Sequence, residues 1–319
     1  MFTHLSLSNK VEFLSLILSS LVETSNISTT HYHSQMSNKE ILIIALIACL
    51  DYQSNHAKTL SIAKDSRVFG YVLSPSQYCR RLNKLQEYIP LMVNQVSEAM
   101  LKLINKIQKL MLYINYVKVY ITDTYPVNII GSMRITSCKL VMNHKSKLKK
   151  ISKKTNKPRK VIDEDYRGFC ASKKHWYYGF KFSPISNCLG LITDYSFKPA
   201  KTYDPNCLLG TSLTIPEGSQ ILADSIYDND SLIESLKTQS IELTPVLKKR
   251  KTQNHENKNS NYEDRTYIKY SRRAIETIFS KFEYLIPKKF NSKKLDGLIL
   301  KLHVAVLAYN LQKVYDLIN

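Results

Sequence analysis

Three acidic residues stand out on a chain that has only 26 of them against 46 Lys and Arg. Asp123 ends the run Val-Tyr-Ile-Thr and precedes Thr-Tyr-Pro. Asp224 follows Ile-Leu-Ala, and Glu276 lies between Ile275 and Thr277 with Arg272 one helical turn before it. Asp224 comes 101 residues after Asp123, and Glu276 a further 52. Two carboxylates at strand ends and one on a helix, brought together, offer hard oxygen ligands to divalent cations. Two such cations roughly 3.5–4 Å apart can activate water or a 3′-hydroxyl and stabilise the leaving oxygen in phosphodiester chemistry. The same residues admit plainer roles. Asp123 can be a turn residue before Pro126, and Glu276 can pair with Arg272 at one-turn spacing. Glu276 also borders the stripe Ile275, Ile278, Phe279 and Phe282, where a carboxylate is costly unless a cation or Arg272 compensates it. Cys170 and His175 are too few to be read as metal ligands, so His175 is taken as an ordinary loop residue. No two of the six cysteines have the two-residue spacing of a zinc ribbon or a dithiol redox motif, so reduced thiols are expected.

The formal charge of +20 points to a polyanion partner, nucleic acid before an anionic membrane. The longest apolar run, Ile41 to Leu50, is about half the length a membrane span needs. The C-terminal run from Leu295 to Ile318 is interrupted by Lys301, His303 and Asn310 and reads as a core helix. No signal peptide is read at the N-terminus, and a cytoplasmic setting is expected. Two basic runs favour phosphate contacts. One spans 145–160, with nine basic residues in sixteen and no acid, among them Lys149, Lys150, Lys153 and Lys154. The other holds Lys248, Lys249 and Arg250 and opens a polar segment, 248–265, read as a mobile loop.

The length of 319 residues allows about two domains at roughly 150 residues each. Residues 1–115 look helical. Ser37 and Glu40 open a helix at the apolar run, and a second covers His56 to Asp65. Ser74 and Pro75 start a third, read through to Met92, that carries Gln77, Arg80, Arg81 and Lys84. Helix, helix, turn, helix is a helix-turn-helix-like order, in which the last helix reads a DNA major groove. A plain bundle with a solvated basic face fits the same pattern. A long helix over roughly 93–113 leads to residues 116–319. There a strand ends near Asp123, and 133–142 form another. The segments around Tyr177 and Tyr195 make a hairpin or neighbouring strands. Residues 219–229 and 241–246 add strands, and 265–285 form a helix. The fold class is α/β after a helical module.

The blocks YITDTYPV, YRGFCASKKHWYYGFKFSPI, GLITDYSFKPAKTYD, ILADSIYDND, RRAIETIFSKFEYLIPKKF and LDGLILKLHVAVLAYNL resemble, in that order, the DDE transposases of bacterial insertion sequences. They are most similar to the insertion-sequence-982 family, over about residues 37–310. The resemblance implies a ribonuclease-H-like catalytic domain at 116–319. Its three acids fall on Asp123, Asp224 and Glu276, and its basic position before the glutamate on Arg272. It implies two Mg²⁺ ions, with Mn²⁺ as substitute, held by the three acids. Its partner is double-stranded DNA, both element ends and target, bound by a homodimer or higher assembly near the bacterial nucleoid. Lys stands at 269 where related families have Tyr, Glu at 283 where they have Lys, and no Cys-Asn pair follows Pro126. None of these departures removes a ligand. The rival function is an inactive or repurposed transposase relic that binds DNA without cutting. A structural RNA-binding protein has no motif in its support. Tyr177, Tyr178, Lys181 and Lys201 lie in the matching blocks, and the two tyrosines are core or base-stacking residues.

Overall fold

Caps set the helix starts. The computed structural model describes residues 2–24, 35–108, 118–129, 164–170, 175–246, 273–287, 292 and 295–319. After α1 (Leu7–Thr24), the Ser37 and Glu40 side chains close a capping box on α2 (Asn38–Tyr52). Asn55 caps α3 (His56–Asp65), and Ser74 caps α4 (Pro75–Lys84), with Pro75 in the first turn where its missing N–H costs nothing. The third helix stops earlier than the sequence pattern suggests. A 3₁₀ turn, Gln86–Tyr88, intervenes, and α5 (Ile89–Gln108) starts before residue 93. Pro90 accounts for the break, because it cannot sit inside a continuous helix but fits the first turn of a new one.

Helix α2 is buried along its whole apolar run, Ile41–Leu50, and is a core element. It packs on α1, α3, α4 and the C-terminal helix α9 (Leu295–Ile318). No helix among the described residues is long and apolar enough to cross a membrane. The polar residues of α9 have structural partners. Buried Asn310 donates to the carbonyls of Val93 (3.2 Å) and Ile192 (2.7 Å) and accepts from the Ile192 N–H (2.9 Å). That amide ties α9 to α5 and to the sheet, and satisfies a polar group that burial would otherwise penalise.

The sheet is mixed. Its described strands are β1 (Val119–Thr122), β2 (Tyr125–Asn128), β3 (Arg167–Cys170), β4 (His175–Asn187), β5 (Ile192–Pro199), β6 (Gln220–Ala223) and β7 (Glu242–Pro245). Long β4 pairs antiparallel with β1, β2, β3 and β5, and β1, β6 and β7 run parallel side by side. The strand expected to end near Asp123 does so, and a further short strand follows it. β1 ends at Thr122, and β2 moves onto the first half of β4, where a Cβ on Gly179 would collide with the Val127 carbonyl. His175 opens β4 opposite Cys170 and is a strand residue, not a loop residue, because β3 and β4 pair up to that point. Short helices α6 (Asp204–Leu208) and α7 (Asp230–Lys237) link β5 to β6 and β6 to β7, and residues 273–285 form α8.

Both faces of the sheet are covered. On β1, Tyr120 enters one apolar cluster with Ile221, Leu232 and Leu243, while Ile121 enters the other with Phe182, Ile278 and Val306. The second cluster continues through α2, α5 and α9, so residues 1–115 and 116–319 share it. The expected strand at 133–142, the loop at 248–265 and the end of the long helix past Gln108 lie outside the described residues.

Candidate active site

β1 and β6 are parallel neighbours with Val119 opposite Gln220, Tyr120 opposite Ile221 and Ile121 opposite Leu222. The register carries a constant offset of 101 residues, the same as the separation of Asp123 and Asp224. The two carboxylates therefore leave the sheet level with each other, on strands about 4.8 Å apart. Fully buried Thr122 anchors the end of β1 by donating to the Pro184 carbonyl (2.9 Å). Each aspartate is turned by the next backbone N–H. Thr124 donates to Asp123 Oδ1 at 2.8 Å, and Ser225 to Asp224 Oδ1 at 2.6 Å, where Asp224 caps the 3₁₀ turn Ser225–Tyr227.

Glu276 arrives from α8. The buried stripe Ile275, Ile278, Phe279, Phe282 and Leu285 lays that helix on the sheet. Phe282 stacks on Phe182 (4.2 Å between centroids), and Phe279 lies 5.1 Å from Tyr125. Glu276 falls off the stripe. It is exposed, so no burial cost demands a compensating cation, contrary to the periodicity argument. Asp123, Asp224 and Glu276 line one cleft of about 780 Å³ together with Lys181, Asp204 and Glu283.

Among the described residues, no three His, Cys, Asp or Glu side chains sit close enough to form a metal cage. The donor set nonetheless fits Mg²⁺. That ion takes oxygen ligands only, and protein sites commonly hold it through one or two carboxylates plus water and substrate phosphates. Two half-buried aspartates abreast at the strand ends supply that kind of site.

Further groups in and beside the cleft were given no role by the sequence. Lys181 donates to Asp204 Oδ1 (2.6 Å) and to the Thr202 carbonyl (2.7 Å). Glu283 hydrogen-bonds Tyr125, whose hydroxyl is pushed up by burial and then by that carboxylate. Behind the cleft, the phenol of fully buried Tyr227 is pushed well up, mainly by burial and further by Asp123 and Asp204. Tyr177 and Tyr178 are buried core residues, and Lys201 makes an exposed pair with Asp165 at 3.5 Å.

The α4 face is mixed. Tyr78 and Leu82 point inward, while Gln77, Arg80 and Lys84 are exposed. Gln77 accepts from the Ser74 hydroxyl (2.9 Å). Arg81 donates to the Met36 carbonyl (2.5 Å) and to Asn38 Oδ1 (2.7 Å), clamping α4 to the start of α2. Arg272, Lys149, Lys150, Lys153, Lys154, Lys248, Lys249 and Arg250 lie outside the described residues. Cys49, Cys79, Cys170, Cys188 and Cys207 are free thiols.

Comparison with curated proteins and with solved structures gives no match. Residues 139–311, more than half of the chain, match the family described as the transposase DDE domain. The matched stretch contains Asp224, Glu276, Lys181 and Asp204, and Asp123 precedes it. The chain belongs to the DDE transposase domain family, whose members are DNA-cleaving enzymes.

Proposed function

We propose that this transposase cuts DNA at the terminal inverted repeats of an insertion sequence of the 982 type and joins the freed 3′ ends to target DNA. The observation that carries the reading is the level placement of Asp123 and Asp224 at the ends of adjacent parallel strands, with Glu276 on the same cleft. Three antiparallel strands, β5, β4 and β1, continued by parallel β6 and β7, support a ribonuclease-H-like catalytic unit at 116–319. Asp123 and Asp224 would hold Mg²⁺ or Mn²⁺, and Glu276 would complete the site. Two bound ions supply activation of water or of a 3′-hydroxyl and charge stabilisation at the leaving oxygen.

The chain's own groups orient this chemistry. The Thr124 and Ser225 N–H groups fix one oxygen of each aspartate, which sets how each carboxylate faces the cleft. Arg272 would orient Glu276 or touch phosphate. Residues 1–115 would recognise the element ends through Gln77, Arg80 and Lys84 on α4, and Arg81 would hold that helix in place. The basic residues Lys149, Lys150, Lys153, Lys154, Lys248, Lys249 and Arg250 would contact phosphates. Two ends must be synapsed, so a homodimer or higher assembly on DNA is expected. The rival reading, a DNA-binding relic that no longer cuts, leaves the shared placement of all three acids without a purpose.

The test is a nicking assay on duplexes carrying the inverted repeats that flank the gene. Mg²⁺ or Mn²⁺ should support nicking, and Ca²⁺ should support binding with little cleavage. Undiminished cleavage in excess EDTA would overturn the mechanism.

A further inference from the structure

We propose that Lys181 contacts a backbone phosphate of the DNA strand lying in the carboxylate cleft, a role that rests on the transposase reading above. Lys181 lies on β4 between Pro126 of β2 and Lys198 of β5, so a rigid part of the sheet fixes its backbone. Its side chain lines the cleft that contains Asp123 and Asp224. An ammonium has three donors and no acceptor. Two of the Lys181 donors are used, one on the Thr202 carbonyl at 2.7 Å and one on Asp204 Oδ1 at 2.6 Å. The third bonds no protein group among the described residues.

Both members of the ion pair are mostly sequestered, with side chains 19% and 15% exposed. A long, flexible lysine normally loses much rotamer freedom when it binds a phosphate. Here that freedom is already gone, because Asp204 at the start of α6 and the Thr202 carbonyl hold the amine in one place. The remaining donor is thus presented at a fixed position beside carboxylates that repel an incoming phosphodiester. A cation there offsets that repulsion, and a pre-positioned charged donor in a half-buried cleft is stronger than one on open surface. The pairing neutralises Asp204, one further carboxylate of the cleft, while leaving the lysine a hand for substrate.

The experiment measures nicking and joining by wild type, Lys181→Ala and Lys181→Gln. The substrates are the flanking inverted-repeat duplex and a series carrying one neutral methylphosphonate at each position near the cut. Lys181→Gln can still donate to the Thr202 carbonyl and guards against a folding defect, which thermal melting of each variant reports. On the all-phosphate duplex both variants should lose about 10- to 100-fold in rate, as expected for one charge-assisted hydrogen bond. One methylphosphonate position should slow the wild type by a similar factor and slow the variants no further. Variants that cut as fast as wild type overturn the proposal, and so do variants that are slowed by every methylphosphonate as the wild type is. Each of those outcomes leaves the transposase reading intact. A wild type without Mg²⁺-dependent cutting overturns that reading, and this proposal with it.

Discussion

Two clefts among the described residues have nearly equal volume, about 780 Å³ at the strand ends and about 760 Å³ between α4 and α9, and the groups at their centres sit in opposite surroundings. At the strand ends, Asp123 and Asp224 are half-buried and Glu276 is exposed. In the helical cleft, burial holds His56 down to about 4, with Lys301 adding to the shift. Burial alone holds His303 down to about 4, and it lowers Lys301 as well. The hydroxyls of Tyr78 and Tyr195 face the Nδ1 atoms of His56 and His303, at 3.3 and 2.7 Å. The difference follows from the architecture. Where helices pack on α9 they enclose His56, Lys301 and His303, and burial disfavours the charged form of each. Parallel strands that stop at the edge of a sheet release their last side chains into the crevice outside their carboxyl ends, where ligands commonly bind. Burial thus disfavours charge on His56, Lys301 and His303 in one cavity, whose rim still carries exposed Lys84, Glu87 and Asp296, while the strand ends collect carboxylates at the other.

The contrast breaks first at the carboxylates. Asp123→Asn and Asp224→Asn should each remove several kcal/mol of transition-state stabilisation, about a thousandfold in nicking rate. Melting temperatures should shift by no more than about 2 °C, because asparagine keeps the oxygen that accepts the next N–H. Rates of single-strand nicking beside thermal melts check both halves of this expectation.

The helical cleft should respond to pH. Folding keeps His56 and His303 neutral down to about 4, whereas the unfolded chain takes up protons near 6.5. Stability is therefore full above about 6.5 and falls as pH drops towards 4, because the unfolded state binds more protons there. The loss should amount to about 3 kcal/mol for each histidine, about 6 kcal/mol for the two together. Urea midpoints measured from pH 7.5 to 4.5 should decline, and His56→Gln with His303→Gln should flatten the decline.

The smallest effect separates two adjacent arginines. Arg81→Ala should cost about 1.5–3 kcal/mol of stability through its lost bonds to Met36 and Asn38. Arg80→Ala should stay within about 0.5 kcal/mol of wild type and weaken binding to element ends more than to scrambled duplexes. Chemical denaturation and gel-shift titrations distinguish the two.

These adjacent arginines also show where the sequence stops being informative. Local chemistry was legible. Ser37 with Glu40 and Ser74 with Pro75 marked helix starts that the structure keeps, and the C-terminal helix runs over the expected Leu295–Ile318. The strands before Asp123 and Asp224 were also visible as apolar runs, but the one read over 219–229 stops at Ala223, because Asp224 caps a 3₁₀ turn there. Long-range placement was not. Nothing in Arg80-Arg81 says which guanidinium folds back onto Met36, since that carbonyl is 45 residues away in sequence. The Lys181–Asp204 pair spans 23 residues and depends on how α6 follows β5. The burial expected at Glu276 failed because periodicity marks which residues border a stripe, not how far the neighbouring sheet reaches.

The central claim is that Asp123 and Asp224 form a cation site, and a Mn²⁺ titration tests it most directly. Binding is followed by calorimetry and by the water-proton relaxation of bound Mn²⁺, on wild type and on the double variant Asp123→Asn with Asp224→Asn. The account predicts saturable Mn²⁺ binding to wild type that Mg²⁺ displaces, and its loss in a double variant that melts like wild type. A folded double variant that binds Mn²⁺ as wild type does would contradict it.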